Sequence, residues 1–433
     1  MPMNLQLLLP VVLLFILFFL KIPVAFSLLT SAVYYFLFFN NSIPPGMLVQ
    51  KIVATTESFT YLAIPFFVCA GVVFNYSGIT TKIIDLAELL VGHFCGGMGQ
   101  VNILASTLMG GLSGSSNADA AMDSKMIVPE MIKRGYSRGF STAVTAASSC
   151  ITPIIPPGII LIMYAMVANV SVAKMFLAGY VPGFIMCVTL MVVVWWISKK
   201  RGYAPSREKR APLKLILQKT LEAIWALILP FGLLLGLRFG MFTPTEGGAM
   251  AVAYALIIGV FVYKEIKWKH VWPIIKESVE GTAGVIFIIA AANSFSLYLA
   301  WERIPMIISE IMINSISDPI IMMLCINFFL LICGCFFEGG AALILLGPLL
   351  IPTVQKMGID LVHFGIILSI NLTMGGITPP FGSMMFVTTT ITQTPLEEYV
   401  VESIPFIAAL IGLLVLFTFT PSLILFVPRL FGM

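Results

Sequence analysis

The chain has 433 residues, of which 59% are hydrophobic and 10% charged, with a mean hydropathy of +1.03 and a formal net charge of +4. Soluble domains usually carry about 25% charged residues, so too little charge is left here to cover a water-facing surface, and lipid must be the solvent for most of the chain. The positive excess sits in connectors rather than on a patch, which excludes a nucleic-acid partner as the reason for it.

The apolar stretches have bilayer length, about 20 residues each. Helix is the expected conformation, because backbone groups in lipid must be satisfied within their own segment, and the period-2 alternation of a membrane barrel is absent. In chain order, Leu5 to Leu20 is expected to be a retained span, since it lacks the basic start and the small-residue cleavage site of a signal peptide. Spans are then expected at 24–39 and 58–76, and at 175–198 within the uncharged run between Lys174 and Lys199. The connector at 199–214 carries Lys199, Lys200, Arg201, Arg207, Lys209, Arg210 and Lys214 against the single acid Glu208. By the positive-inside rule it is a cytoplasmic, solvated loop that sets topology. Further spans are expected at 215–237, 243–263, 281–300 and 403–427. The seven cysteines lie mostly in apolar segments and the three histidines are scattered, so no transition-metal or redox site is expected.

Two regions, 99–170 and 319–392, are apolar but broken by Gly, Ser, Thr, Pro and single charges, and they match each other. Pro129 precedes Pro156 by 27 positions, and Pro352 precedes Pro379 by 27. Pro23 lies 106 positions before Pro129, and Pro244 lies 108 before Pro352. The chain therefore reads as two related halves, 1–198 and 215–433, joined by the basic connector. Such repeats in transporters are usually inverted, with sites at the midplane on discontinuous helices. Each half has two interruptions. In the first half, Gly110-Gly111-Leu112-Ser113-Gly114-Ser115-Ser116-Asn117 sits between arms too short to cross a bilayer and reads as the tip of a re-entrant hairpin. Its partner is Cys333-Gly334-Cys335-Phe336-Phe337-Glu338-Gly339-Gly340, again expected between short arms. The second interruption is Thr152-Pro153 to Pro156-Pro157-Gly158, paired with Gly375-Gly376-Ile377-Thr378-Pro379-Pro380. A double proline removes two donors and disfavours helix before it, which frees carbonyls that need a partner such as a cation. Close helix packing is the plainer account of any one such motif; four, paired across a repeat, favour a site. Asp119 and Asp123 are spaced i, i+4 and share a helix face. Buried acids in a membrane are costly and tend to be functional; the plainer reading is a helix-end acid paired with Lys125 or a snorkelling contact. Glu246 follows Thr243 at capping-box spacing, and helix capping is its favoured role.

These motifs resemble the large membrane subunit of TRAP (tripartite ATP-independent periplasmic) transporters. The stretches that carry the resemblance are Leu62-Ala63-Ile64-Pro65-Phe66-Phe67, Gly111-Leu112-Ser113-Gly114-Ser115 with Ala118-Asp119-Ala120, Ile155-Pro156-Pro157, Phe176-Leu177-Ala178-Gly179, Phe242-Thr243-Pro244-Thr245-Glu246 and Gly376-Ile377-Thr378-Pro379-Pro380. They run in order through nearly the whole chain. The chain departs from the usual pattern at Gly158, where the family commonly has Ser, and at Asn117, where a small apolar residue is common.

The resemblance implies an all-α polytopic protein of the bacterial cytoplasmic membrane. Such a protein would have two inverted repeats, each with a re-entrant hairpin and a broken helix, and would work as an elevator whose mobile part is about 99–170 and 319–392. It implies sodium as coupling ion, a small four-helix membrane subunit, and a periplasmic binding protein that delivers an organic carboxylate of the C4-dicarboxylate or sialic acid type. Sodium would be held, largely by backbone, at Ser113, Gly114, Ser115, Thr152 and Pro156 in one half and at Gly334, Gly339, Gly375 and Thr378 in the other. Asn117, Glu338 and Ser383 are the candidates for substrate contact, and Asp119 for a structural or ion role. A stand-alone sodium–dicarboxylate symporter, a channel, and an intramembrane hydrolase built on Asp119 and Glu338 are the competing readings.

Overall fold

The computed structural model describes residues 9–20, 22–40, 44, 46–57 and 59–432. Every regular element among them is helical. The first half runs through α1 (Leu9–Phe19), α2 (Val24–Phe38), α3 (Gly46–Glu57), α4 (Ala63–Tyr76) and α5 (Ile79–Val91), with a 70° bend between α4 and α5. It continues through α6 (Gly97–Ser113), α7 (Ser116–Met126), α8 (Val128–Lys133), α9 (Arg138–Ser148), α10 (Ile159–Val167) and α11 (Val172–Arg201). The second half holds α12 (Leu213–Arg238), α13 (Pro244–Ile257), α14 (Trp268–Trp301), α15 (Ile304–Ser315), α16 (Pro319–Phe336), α17 (Gly339–Lys356), α18 (Leu361–Gly375), α19 (Ser383–Thr392) and α20 (Leu396–Phe419). Seven described helices are long and apolar enough to cross a membrane, or up to eight if the bent α4–α5 pair is one span.

The expected spans fall on helices, with changes at their ends. Residues 5–8 of the first span and residue 58 of the third lie outside the described residues. The span expected at 281–300 is the inner part of α14, whose 34 residues would extend about 51 Å at 1.5 Å per residue, well beyond a hydrocarbon core of roughly 30 Å. Its first turns carry Lys269, Lys276, Glu277 and Glu280 with exposed Trp268 and Trp272, an amphipathic foot that a search for uncharged runs leaves out. The span expected at 403–427 is α20, which starts earlier and stops at Phe419. Thr420 precedes Pro421 and leaves the helical region (φ −124°, ψ 67°), as a residue before proline tends to. The arms of the second hairpin are not short: α16 and α17 have 18 residues each, about 27 Å apiece.

The basic connector is also more than a solvated loop. Arg201 pairs with Glu402 at 2.8 Å, the Ser206 hydroxyl donates to the Gly92 carbonyl at 3.1 Å, and the Tyr136 hydroxyl donates to the Ala204 carbonyl at 3.2 Å. The connector is thus folded against the entrance to the first hairpin. At the start of α13, Thr243 and Glu246 form the anticipated capping box.

Helices cross between the halves. α4 packs against α13 and α2 against α14, while α7 packs against α19 and α10 against α17. The core that results is continuous and apolar, yet it encloses a run of wholly buried polar side chains on α6, α7 and α9: Asn102, Ser106, Asp119, Asp123, Ser141, Thr142, Thr145 and Ser148.

Candidate functional site

The first hairpin turns at Gly114. Its φ of +59° takes the left-handed conformation that ends α6, and Ser115 is extended before α7 begins. Only glycine fits: a β-carbon there would lie 2.4 Å from the Pro157 carbonyl oxygen, in a backbone conformation that already disfavours side chains. The tip is seated on the proline-broken segment between α9 and α10, and the Ile159 amide donates to the Gly114 carbonyl at 3.3 Å. The Pro156–Pro157 and Pro379–Pro380 bonds at the two breaks are cis. At Gly158 a β-carbon would come within 1.9 Å of the Pro153 carbonyl oxygen. The seat is closed to the Ser common in the family, and no hydroxyl contact arises there.

Behind this tip lies a polar junction. The Thr152 hydroxyl donates to Asp119 Oδ2 at 2.7 Å, and the Ser106 hydroxyl donates to Asp123 Oδ2 at 2.9 Å. Asp119 and Asp123 are fully buried, and Oδ1 of each has no hydrogen-bond partner; neither does the buried Ser113 hydroxyl. Lys125 is exposed and forms no ion pair with them, so the plain reading of a Lys125 contact does not hold, and the two acids meet Thr152 and Ser106 instead.

The second tip is built otherwise. Phe337 and Glu338 are extended, and the Glu338 carboxylate caps α17 by accepting from the Ala341 amide at 3.1 Å. Gly334 meets Gly375 backbone to backbone, so that a β-carbon on Gly375 would lie 2.3 Å from the Gly334 carbonyl carbon. The Thr378 hydroxyl is satisfied locally by the Met374 carbonyl at 2.8 Å.

Between the two tips lies a cavity enclosing about 710 Å³ of empty space including its mouth. It brings together six of the residues singled out from the sequence: Gly114, Ser115, Asn117, Glu338, Gly339 and Ser383. Ser113, Asp119, Thr152, Pro156, Gly334, Gly375 and Thr378 are not on its wall; Asp119 and Thr152 meet behind the first tip and Gly334 and Gly375 behind the second, with Ser113, Pro156 and Thr378 on the adjoining tip and break segments. The Ser383 hydroxyl donates to Asn117 Oδ1 at 3.3 Å, a link between the halves. Four helices present their first residues to the cavity: α7 at Ser116, α10 at Ile159, α17 at Gly339 and α19 at Ser383. Among the described residues, no Lys, Arg or His lines it. Helix N-termini carry unsatisfied amides and a partial positive charge; Glu338 already caps α17, while α7, α10 and α19 have no side-chain cap, so those three ends suit an anion held without a cationic side chain.

Thr373 and Gly340 on the wall belong to the two interruptions of the second half without having been singled out as site residues, and Val285 and Ile288 of α14 were missed. The α14 pair sits in an ordinary apolar span that gives no signal.

The sequence model of the family described as "Tripartite ATP-independent periplasmic transporter, DctM component" matches residues 11–423. The sialic acid TRAP transporter large permease protein SiaM of Vibrio cholerae is 36% identical over 417 residues, covering 96% of this chain and 96% of that protein. The 2,3-diketo-L-gulonate TRAP transporter large permease protein YiaN of Escherichia coli is 34% identical over 404 residues, with coverages of 93% and 94%. The C4-dicarboxylate TRAP transporter large permease protein DctM of Rhodobacter capsulatus is 33% identical over 425 residues, with 95% and 96%. Among solved structures, the YdaH transporter of Alcanivorax borkumensis aligns with a TM-score of 0.67 at 12% identity over 95% of this chain and 98% of that one, a likeness of fold.

Proposed function

This chain belongs to the DctM component family of tripartite ATP-independent periplasmic transporters, and from that premise we propose that it couples sodium entry to the uptake of a small organic carboxylate. It is a bacterial membrane protein, a large permease subunit and not an enzyme. The tripartite family implies a small membrane subunit, here expected with four helices, and a periplasmic binding protein that hands over the substrate.

The observation that carries the reading is the convergence of four helix N-termini, three of them without a side-chain cap, on one cavity whose described lining has no cationic side chain. Each uncapped end contributes about 0.3–2 kcal/mol toward an anion, depending on burial. Together they offset part of the cost of dehydrating a carboxylate. The Asn117 amide supplies a neutral donor, oriented by the Ser383 hydroxyl that donates to its Oδ1, and the Glu338 carboxylate favours a substrate with hydroxyl or amide donors on the side away from its own carboxylate.

Sodium fits the two junctions behind the cavity. In the first, Asp119 and the Ser113 hydroxyl are buried oxygens with unmet valence, beside Thr152, Pro156 and the Gly114–Ser115 backbone. Oxygen-only surroundings suit a hard cation. In the second, Gly334, Gly339, Gly375 and Thr378 offer backbone carbonyls alone. An ion at either junction would fasten a tip to its broken helix and so complete the cavity wall, which makes substrate binding depend on sodium.

Of the 19 residues that line the cavity, 17 fall within 99–170 and 319–392, and only Val285 and Ile288 come from elsewhere. This supports an elevator in which both hairpins and both broken helices travel together past α14. The crossed packing of α2 with α14 and α4 with α13 supports two inverted repeats, since Pro23 and Pro244 make α2 and α13 counterparts.

The test is uptake of radiolabelled acids (sialic acid, a keto-gulonate, C4-dicarboxylates) into proteoliposomes holding both membrane subunits, with the binding protein outside. The expected result is uptake that needs both an inward sodium gradient and the binding protein. Uptake by this chain alone would favour the stand-alone symporter. Uptake indifferent to sodium would refute the coupling.

A further inference from the structure

Asp123 is used by nothing described so far. It lies one helical turn beyond Asp119 on α7, is fully buried, and has Oδ1 without a partner. Its one hydrogen bond comes from Ser106, which sits seven residues before the tip residue Ser113 on α6, about 10 Å deeper at 1.5 Å per residue. The Ser106 hydroxyl is also 3.1 Å from Ser148, whose hydroxyl donates to Asn102 Oδ1 at 2.7 Å, and Asn102 in turn donates to Thr145 at 2.7 Å. All of these side chains are 0% exposed.

Donor counting shows the deficit. A carboxylate offers about four acceptor sites, and here one hydroxyl hydrogen serves either Asp123 or Ser148. No Lys, Arg or His pairs with Asp123 among the described residues. Asp119, the neighbour at i+4 spacing, adds a second carboxylate on the same face. Two buried acids without a counter-charge are expensive, and helix capping does not explain Asp123, which lies in the interior of α7. The second half shows that the fold itself does not need the acids. The offset that carries Pro129 onto Pro352 carries Asp119 onto Ala342 and Asp123 onto Leu346, both buried in α17.

We propose that Asp123, with the Ser106 and Ser148 hydroxyls, forms an additional binding site for a monovalent cation at the inner end of the junction behind the first hairpin tip, one helical turn beyond Asp119 and adjoining it through Thr152, whose hydroxyl lies 3.4 Å from the Ser106 carbonyl. With Asp119 serving the tip, each buried acid then faces one cation. The inner site fixes α6, α7 and α9 to one another, and adds one cation to those carried per transport cycle. The inference rests on the sodium coupling proposed above.

The experiment is equilibrium binding of ²²Na⁺ to the purified pair of membrane subunits, with thermal unfolding followed at 0 and 200 mM NaCl against choline chloride. It compares the wild type with Asp123→Asn, Asp123→Leu (the residue of the second half) and Ser106→Ala. The expected result is one fewer sodium bound per chain in both Asp123 variants, with a smaller sodium-induced rise in melting temperature. Ser106→Ala should retain the count with severalfold weaker affinity. Sodium binding kept at the remaining sites shows that a variant is folded; if Asp123→Asn does not fold, Ser106→Ala and its affinity shift decide. An unchanged count and affinity in the Asp123 variants would overturn the inner site and leave the tip junctions standing. A wild type that binds no sodium would instead bring down the coupling itself. A wild type whose stability follows pH and not sodium would overturn the cation in favour of a proton.

Discussion

The two hairpins occupy corresponding places and are held by different chemistry. In the first, the tip needs a left-handed glycine, Gly114, and the junction behind it is made by side chains: Thr152 on Asp119 and Ser106 on Asp123, all buried. In the second, the counterpart of Thr152 is Gly375, packed directly on Gly334, while the counterparts of the two acids are Ala342 and Leu346. One junction can respond to a cation through formal charge, the other only through carbonyl dipoles. A repeat thus keeps its backbone interruptions, which set where a site can be, while its side chains diverge, which sets what each site costs and carries.

The sharpest way to break this contrast is to move the charge across. Ala342→Asp would bury a carboxylate among apolar neighbours, and an uncompensated buried charge costs about 3–5 kcal/mol. The expected outcome is loss of monodisperse protein on size-exclusion chromatography; a well-behaved variant would mean that the second junction already has the donors attributed only to the first. Next, Gly375→Ala forces apart the Gly334 contact, at about 1–3 kcal/mol for overpacking, and should lower the melting temperature with or without sodium. Thr152→Val removes the donor to Asp119 at a cost of about 1–3 kcal/mol for a buried acceptor left unpaired. Its expected signature is a raised sodium requirement for uptake, with the substrate specificity unchanged. The smallest effect belongs to Asn117→Ala, which removes the 3.3 Å link to Ser383 between the halves. About 0.5–1.5 kcal/mol for one hydrogen bond should appear as a severalfold rise in the half-saturating substrate concentration and little change in sodium dependence.

How far the sequence reaches follows from the same contrast. Proline spacing at 129–156 and 352–379 exposed the paired interruptions, because backbone breaks in lipid need residues that cannot continue a helix. The cavity's polar rim was legible for the same reason: Gly114, Ser115, Asn117, Glu338, Gly339 and Ser383 cluster at those breaks. What could not be read was which polar groups meet. Asp119 and Asp123 share a face by periodicity, but that Thr152 and Ser106 rather than Lys125 serve them depends on how α9 and α6 pack. Val285 and Ile288 reach the cavity from α14 with nothing in their local sequence to mark them. Helix lengths were misjudged at the foot of α14 and along α17, because an amphipathic or proline-containing helix departs from the uncharged run used to find spans, and along α16, which continues to Phe336 through the Cys-Gly-Cys stretch read as part of the tip.

The most direct test of the claim that the first hairpin couples sodium to substrate is a paired measurement of ²²Na⁺ and substrate entry in the same proteoliposomes, for the wild type and Asp119→Asn. The account predicts a fixed sodium-to-substrate ratio in the wild type, and a large loss of both fluxes in the variant that raising sodium only partly restores. An unchanged ratio and rate in Asp119→Asn would contradict it.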